Sequence, residues 1–303
     1  MLDATSSVLS QAAYEGLVFG LVTIGVYLTF RVLSFPDLSV EGTFPLGGAT
    51  AAILIVNGVN PFWATLAALG AGLSAGLLTG LLNTRLRITA LLAGILVAVA
   101  LYSINLRIMG GANIPLLRDI TIFDKVGSFL GLHGGVMLSI VVVLIVAAII
   151  FIFLYWFLRT EIGLMLRATG DNEQMVRSLG GDTNKAVLLG CSISNGLVAL
   201  AGALVAQNQG FSDVGMGIGM IVIGLAALIV GEALFRARGI AWVLIACLGG
   251  AFVYRLFLIV ALRLGMNPGD LKMITAILVV VALGIPFIMK KLRGEWLPPA
   301  ARW

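Results

Sequence analysis

The chain has 303 residues, of which 60% are hydrophobic and only 11% are charged, and its mean hydropathy is +1.10. Because soluble domains carry about 25% charged residues, this composition excludes a soluble enzyme, a nucleic-acid-binding module and a disordered chain. The formal net charge of +5 therefore concerns membrane topology and does not indicate a nucleic acid partner. We predict an all-α, polytopic membrane protein that forms one transmembrane domain, residues 1–303.

Apolar stretches long enough to cross a bilayer as helices, which takes about 20 residues, occur about nine times, within a range of eight to ten. The second and the seventh are short and rich in glycine. The first ten residues contain Asp3 but no Lys or Arg, so they lack the basic region of a signal peptide, and we expect the first segment to remain in the mature protein. The predicted segments are residues 12–33, 42–57, 62–83, 88–109, 135–158, 186–206, 216–235, 239–262 and 271–290.

The sequence Phe35-Pro-Asp37-Leu-Ser39-Val-Glu41-Gly joins the first two segments. Proline removes a hydrogen-bond donor and glycine loosens the backbone, so we predict broken helices here, with peptide groups that can face a cavity. Asp37 and Glu41 are costly in an apolar setting unless they face water, cap a helix or find a partner. Two interpretations stay open: these polar residues line a path, or Asp37 or Ser39 only caps the second helix.

Two stretches between segments are long enough to have structure of their own, residues 110–134 and 159–185. Most of the 19 Lys and Arg residues fall on the side of residues 159–185. Basic residues concentrate in cytoplasmic loops, so this side is predicted to be cytoplasmic, with the N-terminus outside and the C-terminus inside. The loop at 110–134 is then extracytoplasmic, and no loop is long enough for a separate soluble domain.

The inner stretch, residues 159–185, contains a predicted amphipathic helix of about ten residues. An acidic N-cap with a glutamine three residues later starts it, an apolar stripe follows, and a glycine pair stops it. These features are carried by Asp171 and Gln174, by Met175, Val176 and Leu179, and by Gly180 and Gly181. Because so short a helix is unstable alone in water, the membrane surface, the rest of the chain or a cytoplasmic partner must hold it. We prefer a partner, since Asp171 and Glu173 on the polar face disfavour an anionic lipid surface.

An internal repeat relates the two halves of the chain. In each copy a helix runs into a Phe-x-Asp turn and then into a short segment that contains glycine. With the predicted orientation, the first helix runs inward and the sixth runs outward, so the copies are inverted, as they are in many transporters. The identities at one constant shift are residues 20–22 with 196–198, Leu28 with Leu204, Phe35 with Phe211, and Asp37 with Asp213.

Close packing is the role predicted for the isolated cysteines and for several glycines. Cys191 and Cys247 each stand alone in an apolar run, and the one histidine, His133, has no neighbours at metal-ligand spacing, so we expect no metal site. Glycines at i,i+4 favour the close approach of helices, and they recur as Gly72-Gly76-Gly80 and Gly215-Gly219.

Two other functional classes make different demands on the sequence. An ion-coupled secondary transporter also uses inverted repeats and broken helices, but it needs paired ionisable residues at mid-membrane. Glu15 and Asp213 lie near segment ends, and Arg255 has no evident acidic partner. An intramembrane enzyme would need a nucleophile or metal constellation, which the sequence does not display.

The inner stretch resembles the coupling segment of ABC-importer permeases in the branched-chain amino acid, ribose and basic-membrane-protein group. There a Gly-x-x-x-Arg-Ala stretch leads into an Asn-Glu-x-x-Ala-x-x-x-Gly-type helix, to which residues 163–168 and 171–180 correspond. Residues 35–40 are similar to the Asp-Leu-Ser-Val element of ribose-type members, although the extra N-terminal helix of those members is missing. The resemblance covers nearly the whole chain and is closest to permeases labelled as tryptophan, tyrosine or other amino-acid importers. Glu232 stands near where branched-chain members usually have glycine pairs.

The resemblance implies a permease, and not an enzyme, in a bacterial inner membrane. Its implied partners are a second copy of this chain, two copies of an ABC ATP-binding subunit, an extracytoplasmic substrate-binding protein and membrane lipid. No lysine of the chain follows a glycine, as a P-loop requires, so we expect no ATPase on this chain. The resemblance implies that the chain carries no cofactor of its own and that ATP with Mg²⁺ belongs to the partner subunit. ATPase closure would push the coupling helices and switch the dimer between outward- and inward-open states.

In this interpretation Met175 and Leu179 form an apolar knob, and Arg167 and Arg177 hydrogen-bond partner carboxylates. The implied ATPase-coupling residues are Gly163, Arg167, Ala168, Asp171, Asn172, Glu173, Met175, Arg177, Leu179 and Gly180. Candidates for the translocation path are Phe35, Asp37, Ser39, Glu41, Thr43, Phe44, Asn195, Gln207, Gln209, Asp213, Met216 and Met220.

Amino acids lead as substrates, either aromatic or branched-chain, and aromatic ones are favoured by the resemblance alone. Nucleosides and sugars are the alternatives, because the binding protein is expected to do most of the selecting. The outer charged residues form either the docking face for that protein or a solvated loop without a partner. They are Arg118, Asp119, Asp124, Lys125 and Arg263.

Overall fold

The computed structural model describes residues 2–117, 119–131, 135–235, 239–270, 273–277 and 280. Within these residues, seven helices are long and apolar enough to cross a membrane, and an apolar helix of 17 residues is shorter. The seven spans are Val8–Val32, Pro61–Thr84, Ala90–Met109, Val136–Phe157, Thr183–Gln209, Val214–Phe235 and Ile240–Arg263. They confirm an all-α, multi-pass membrane fold. The ninth predicted segment, residues 271–290, lies almost entirely outside the described residues.

The elements follow one another in an order that matches the predicted segments closely. The helices are α1 (Leu2–Tyr27), α2 (Val40–Val56), α3 (Pro61–Thr84), α4 (Ala90–Met109), α5 (Ile122–Leu130), α6 (Val136–Phe157), α7 (Glu161–Asp171), α8 (Glu173–Ser178), α9 (Thr183–Gln209), α10 (Met220–Phe235) and α11 (Ile240–Arg263). A π-helical turn, Leu28–Val32, extends α1, and 3-10 turns occur at Val214–Gly217 and Pro268–Asp270. The two strands are β1 (Asn113–Pro115) and β2 (Phe211–Asp213).

Hydrogen bonds between distant residues fix the relative direction of α1 and α9. The Tyr14 hydroxyl donates to the Leu204 carbonyl (3.4 Å), and the Ser194 hydroxyl donates to the Gly25 carbonyl (2.7 Å). The two helices therefore run antiparallel, as inverted copies require. We call the end of the molecule that carries α7 and α8 the α8 side. The opposite end, which carries β1, β2 and α5, is the ladder side.

The ladder side is held together by a short β-ladder. β1 and β2 pair antiparallel, with Asn113 opposite Asp213 and Pro115 opposite Phe211. The loop after α4 is thereby joined to the chain that follows α9. The stretch 110–134, predicted as a structured loop, contains β1 and α5.

Glycines bring α3 and α9 into close contact. A Cβ atom at Gly76 would lie 2.1 Å from the Cys191 carbonyl oxygen, and one at Gly80 would lie 3.0 Å from the Leu188 side chain. The packing role predicted for the glycine series on α3 is therefore confirmed. It is wrong for Gly215-Gly219, because Gly219 follows the 3-10 turn with a φ of +86° and open space around it.

The two cysteines are packing residues, as predicted, since Cys191 and Cys247 are both fully buried and unbonded to each other. His133 lies outside the described residues. In the described part of the chain, no group of three His, Cys, Asp or Glu residues is placed to hold a metal ion.

Candidate coupling segment and translocation path

The segment between α6 and α9 folds into two short helices, α7 and α8. Asn172 lies between them and caps α8, because its Oδ1 accepts the Met175 N–H at 3.0 Å. The prediction that Asp171 is the N-cap is therefore wrong by one residue, since Asp171 is the last residue of α7. α8 has only 6 residues and is shorter than predicted because α7 extends so far. Gly180, with a φ of +84°, provides the predicted stop.

α8 turns one apolar side chain inward and two outward. Val176 is buried, whereas Met175 and Leu179 are 48% and 78% exposed. The three residues do not form one stripe, because Val176 anchors the helix and only Met175 and Leu179 remain for the apolar knob. The other predicted coupling residues of this region are exposed or half-buried, namely Arg167, Ala168, Asp171, Asn172, Glu173, Arg177 and Gly180.

Polar contacts hold α8 against the start of α9. Arg177 pairs with Glu173 at 2.5 Å and donates from Nε to Thr183 Oγ1 at 2.9 Å. The Thr183 hydroxyl in turn donates to Glu173 (3.1 Å). Asp182 caps α9, and the Lys185 N–H that its carboxylate accepts lowers the pKa of Asp182. Arg177 therefore already has an acidic partner within the chain, in addition to any on another subunit.

α7 packs closely against two neighbouring chain segments through glycine. A Cβ atom at Gly163 would lie 2.2 Å from the Phe157 carbonyl oxygen, and one at Gly170 would lie 1.9 Å from the Val32 carbonyl oxygen. The Ser34 hydroxyl also donates to the Gly170 carbonyl at 3.0 Å. α7 is thus in direct contact with the π-helical turn that extends α1. The sequence indicated Gly163 but not Gly170, whose only signal was a glycine within a helical pattern.

The first break, residues 33–39, buries a polar cluster between the two halves of the chain. Asp37, Ser39, Thr43 and Asn195 are all 0% exposed. The Asp37 carboxylate accepts the Ser39 N–H (2.8 Å), the Ser39 hydroxyl (2.6 Å) and the Asn195 Nδ2 amide (2.7 Å). The Thr43 hydroxyl donates to Asn195 Oδ1 at 2.7 Å. We call these four residues the Asp37 cluster.

The hydrogen bonds of the Asp37 cluster explain how an acidic residue is tolerated in this apolar setting. Asp37 has found polar partners and is not in contact with water, and Ser39, the N-cap of α2, makes no side-chain capping bond. Phe35 and Phe44 are also buried, and Phe44 stacks on Phe19 with ring centroids 6.1 Å apart. In this conformation these predicted path residues are buried in the packed interior and do not face an open channel.

The second break, residues 210–219, repeats the turn of the first. Asp213 Oδ1 accepts the N–H of the residue two positions later, Gly215, at 2.7 Å. The half-buried Glu41 accepts the Gly219 N–H at 3.1 Å. A Cβ atom at Gly217 would lie 1.9 Å from the Glu41 carbonyl oxygen. The two breaks therefore share an Asp carboxylate that accepts the N–H two positions later, which supports the predicted repeat, and the second break touches the start of α2, directly after the first break.

The remaining predicted path residues are distributed around the second break. Met216 is half-buried, and Met220 is buried in the main hydrophobic core, so they form no exposed sliding surface in this conformation. The buried Gln207 accepts the N–H of the first residue of α5 (3.0 Å) and donates to a threonine of α3 (2.8 Å). Gln209 donates to a carbonyl of β2 at 2.9 Å.

Two ion pairs join residues whose partners the sequence did not reveal. Arg31, in the π-helical turn, pairs with Glu232 of α10 through a 2.9 Å bond from Nε to Oε1. Arg255 Nη1 lies 3.3 Å from Glu15 Oε2, and the guanidinium lies over the Phe19 ring. The expectation that Arg255 lacks an acidic partner is therefore wrong.

The charged residues of the outer loop have mixed surroundings. Asp124 takes part in the capping box of α5, accepting the Thr121 N–H at 2.8 Å, and Lys125 is exposed. Asp119 and Asp124 line a cleft of about 550 Å³ on the ladder side, together with Glu15. Arg118 lies outside the described residues.

Comparison with known proteins shows the family. The family model described as "Branched-chain amino acid transport system / permease component" matches residues 8–284. The chain is 41% identical to the tyrosine transport system permease protein of Clostridioides difficile (strain R20291), over 94% of each sequence. It is 28% identical to the galactofuranose transporter permease protein of Escherichia coli (strain K12), over 83% of this chain and 68% of the other.

A solved structure has the same fold at low sequence identity. It is "PsaBC from Streptococcus pneumoniae in complex with Fab", with a TM-score of 0.50 and 14% identity over 91% of this chain and 89% of that chain. The family match confirms the resemblance seen in the inner stretch. It also sets aside the ion-coupled transporter and the intramembrane enzyme, because relatives in this family are translocation subunits. The chain belongs to the family of permease components of branched-chain amino acid transport systems, and it is a membrane-spanning permease of the ABC-importer type.

Proposed function

We propose that this permease moves an amino acid, with aromatic amino acids favoured, from a substrate-binding protein into the cytoplasm. The support is the 41% identity to a protein named as a tyrosine transport permease. The 28% identity to a galactofuranose permease makes a sugar the second candidate, and a nucleoside is the third.

The proposed assembly contains two copies of this chain, with two ATP-binding subunits on the α8 side and the binding protein on the ladder side. The α8 side is cytoplasmic in this proposal, because most basic residues lie there. ATP and its Mg²⁺ bind to the partner subunits. The observation that carries the proposal is the exposed knob of Met175 and Leu179 on a helix of only 6 residues.

The contacts of α8 define how a push from the ATPase would travel. α8 is fixed to α9 by Thr183, and α7 touches the π-helical turn through Gly170 and Ser34. That turn leads directly into the first break and the Asp37 cluster. A cleft of about 520 Å³ beside α8, lined by Arg87, Glu173 and Arg177 among others, offers the polar part of the docking surface.

The test is co-purification from the native host in mild detergent. Wild-type chain is compared with Leu179→Glu, which places a charge on the knob, and with Leu264→Glu as a matched control. Leu264 is 81% exposed and follows α11 on the ladder side, away from α8. We expect an ATP-binding subunit to co-elute with the wild type and with Leu264→Glu but not with Leu179→Glu.

Two results would contradict the proposal. If wild-type chain elutes without an ATP-binding subunit, the assembly is wrong. If Leu179→Glu retains that subunit as well as Leu264→Glu does, the knob is not the docking site. Uptake of labelled tyrosine, galactofuranose and a nucleoside by the intact system then distinguishes the three substrate classes.

A further inference from the structure

A cleft of about 310 Å³ lies where α2, α4 and the second break meet. This volume is at the lower end of the range for small-molecule sites, about 300–1,000 Å³. Its wall includes Glu41, Tyr102, Ser103, Asn105 and Ile218. Only Glu41 was predicted from the sequence as a path residue.

Glu41 is a half-buried carboxylate near the start of a membrane-embedded helix. One of its oxygens accepts the Gly219 N–H at 3.1 Å. Among the described residues, no Lys, Arg or His lies within salt-bridge distance of Glu41, although four other ion pairs are formed. Carboxylates at such positions are costly and normally have a partner. The Glu41 carboxylate therefore has acceptor capacity that a positively charged donor could use.

Asn105 supplies a second unused acceptor in the same wall. Its side chain is 0% exposed, and its Nδ2 amide donates to the Gly42 carbonyl at 3.1 Å. A carbonyl oxygen only accepts, so this bond fixes which end of the amide faces Gly42. The Oδ1 atom is left buried without a hydrogen-bond partner in the described structure. A buried acceptor without a partner is destabilising, and a donor from outside the chain would remove that cost.

The rest of the wall is aromatic and apolar. Tyr102 and Ile218 are 51% and 62% exposed, and they stand beside the two acceptors. An aromatic face attracts a cation as well as an apolar group. The cleft thus combines a half-buried carboxylate and an exposed aromatic side chain with an unpartnered amide oxygen that is buried in its wall.

We propose that this cleft binds the protonated amino group of the transported amino acid during its passage, with Glu41 and Asn105 as acceptors and Tyr102 against its side chain. The inference rests on the proposed function for the identity of the substrate. It adds the site and the group that is recognised, and it makes Glu41 and Asn105 specificity-determining residues for amines over sugars.

The test measures charge selectivity at a single cysteine in the cleft. Ser103→Cys is introduced into the full chain in lipid nanodiscs, where the two native thiols are buried. Labelling rates are measured with a cationic aminoethyl and an anionic sulfonatoethyl methanethiosulfonate of similar size. We expect Glu41→Gln to lower the cationic-to-anionic rate ratio about tenfold, because it removes one nearby negative charge. Glu232→Gln, a matched carboxylate on the α8 side, should leave the ratio unchanged.

A second measurement uses Ser103→Cys alone, so it does not depend on the folding of the Glu41 variant. L-tyrosine and tyramine should slow the labelling, and 3-(4-hydroxyphenyl)propionate, which lacks the amino group, should not. Equal protection by all three compounds, protection by Mg²⁺ or Mn²⁺ but not by amines, or no labelling because the face is in lipid would each overturn the proposal.

These outcomes are independent of the importer assembly, since neither the ATP-binding subunit nor the binding protein is present. Loss of amine protection with intact co-purification would reject the site alone. Intact protection without co-purification would reject the assembly alone.

Discussion

The two breaks share a turn, but they differ in what surrounds it. In the first, Asp37 is fully buried and its carboxylate receives three hydrogen bonds, one of them from Asn195 in the other half of the chain. In the second, Asp213 is half-buried, and Gly215 supplies the one hydrogen bond that its carboxylate receives in the described structure. The same local sequence pattern therefore occurs in a first break whose aspartate is hydrogen-bonded to the other half of the chain, and in a second break whose aspartate is bonded only within its own turn.

This difference indicates which of the two breaks changes conformation more easily. The Asp37 cluster cannot open without leaving several polar groups unpaired in a dry interior, which is costly. The second break is rich in glycine, and it is joined to the start of α2, directly after the first break, by the Glu41–Gly219 hydrogen bond and by the close approach of Gly217 to Glu41 and Pro45. We therefore expect alternating access to displace the second break relative to a first break that moves as a unit with α9.

The largest expected effect on stability follows from a substitution in the first break. Asp37→Ala removes the acceptor of the Ser39 N–H and of one Asn195 amide hydrogen, whereas the Ser39 hydroxyl can still donate to Asn195 Oδ1 at 3.0 Å. Each buried donor left unsatisfied costs about 1–3 kcal/mol, so we expect severe destabilisation. Asp213→Ala removes one half-buried cap and should cost only about 1 kcal/mol. The measurement is the apparent Tm of each purified variant in detergent. Equal shifts in Tm for the two variants would show that the breaks are not mechanically different.

A second, smaller effect is expected where the second break touches the start of α2. Gly217→Ala places a Cβ atom 1.9 Å from the Glu41 carbonyl oxygen, and overpacking of this kind costs about 1–3 kcal/mol. Gly70→Ala is the control, because the same change on α3 points into open space and should stabilise by at most about 1 kcal/mol. Tm and uptake by the reconstituted system are compared for both. If Gly217→Ala is as active and as stable as Gly70→Ala, the close contact between Gly217 and Glu41 is not needed, either in the resting state or during transport.

The smallest effect concerns the ion pair between Arg31 and Glu232, which joins the end of α1 to α10. The side chains are 59% and 30% exposed, so a double-mutant cycle with Arg31→Gln and Glu232→Gln should give a coupling energy of about 0.2–1 kcal/mol. Stability is measured by denaturant or heat for the wild type, both single variants and the double variant. Strict additivity would show that this pair does not connect the halves, whereas a larger coupling would show that α10, which follows the second break, is held more firmly to α1 than an exposed ion pair usually provides.

The helices and the repeated turn were predictable because hydrophobic period and the Phe-x-Asp pattern are local properties. The position of the α8 cap was not, because Asp171 and Asn172 are both good N-cap residues and only the extent of α7 decides between them. Val176 was misplaced for the same reason, since the phase of a helix depends on where it starts.

Partners across the fold were beyond the sequence. Asp37 and Asn195, or Arg255 and Glu15, are brought together only by the antiparallel packing of helices, and no spacing rule relates them. The role of Asn105 could not be predicted from the sequence, because a lone asparagine in an apolar helix can be interpreted only once its hydrogen-bond partners are known. The role of Gly170 was likewise not predictable, since this glycine allows the close approach of the π-helical turn, which is distant in sequence.

The β-ladder has a consequence for the direction in which signals enter the molecule. Because Asn113 pairs with Asp213 and Pro115 with Phe211, β1, which lies within the stretch 110–134, is hydrogen-bonded to the second break, and we expect the two to move together. The opposite end of the molecule reaches the other break, since Ser34 is bonded to Gly170 of α7. In the proposed assembly, a binding protein that docks on the ladder side would therefore act on the second break through the β-ladder. ATP hydrolysis on the α8 side would act on the first break through α7, so the two events would reach different halves of the inverted repeat.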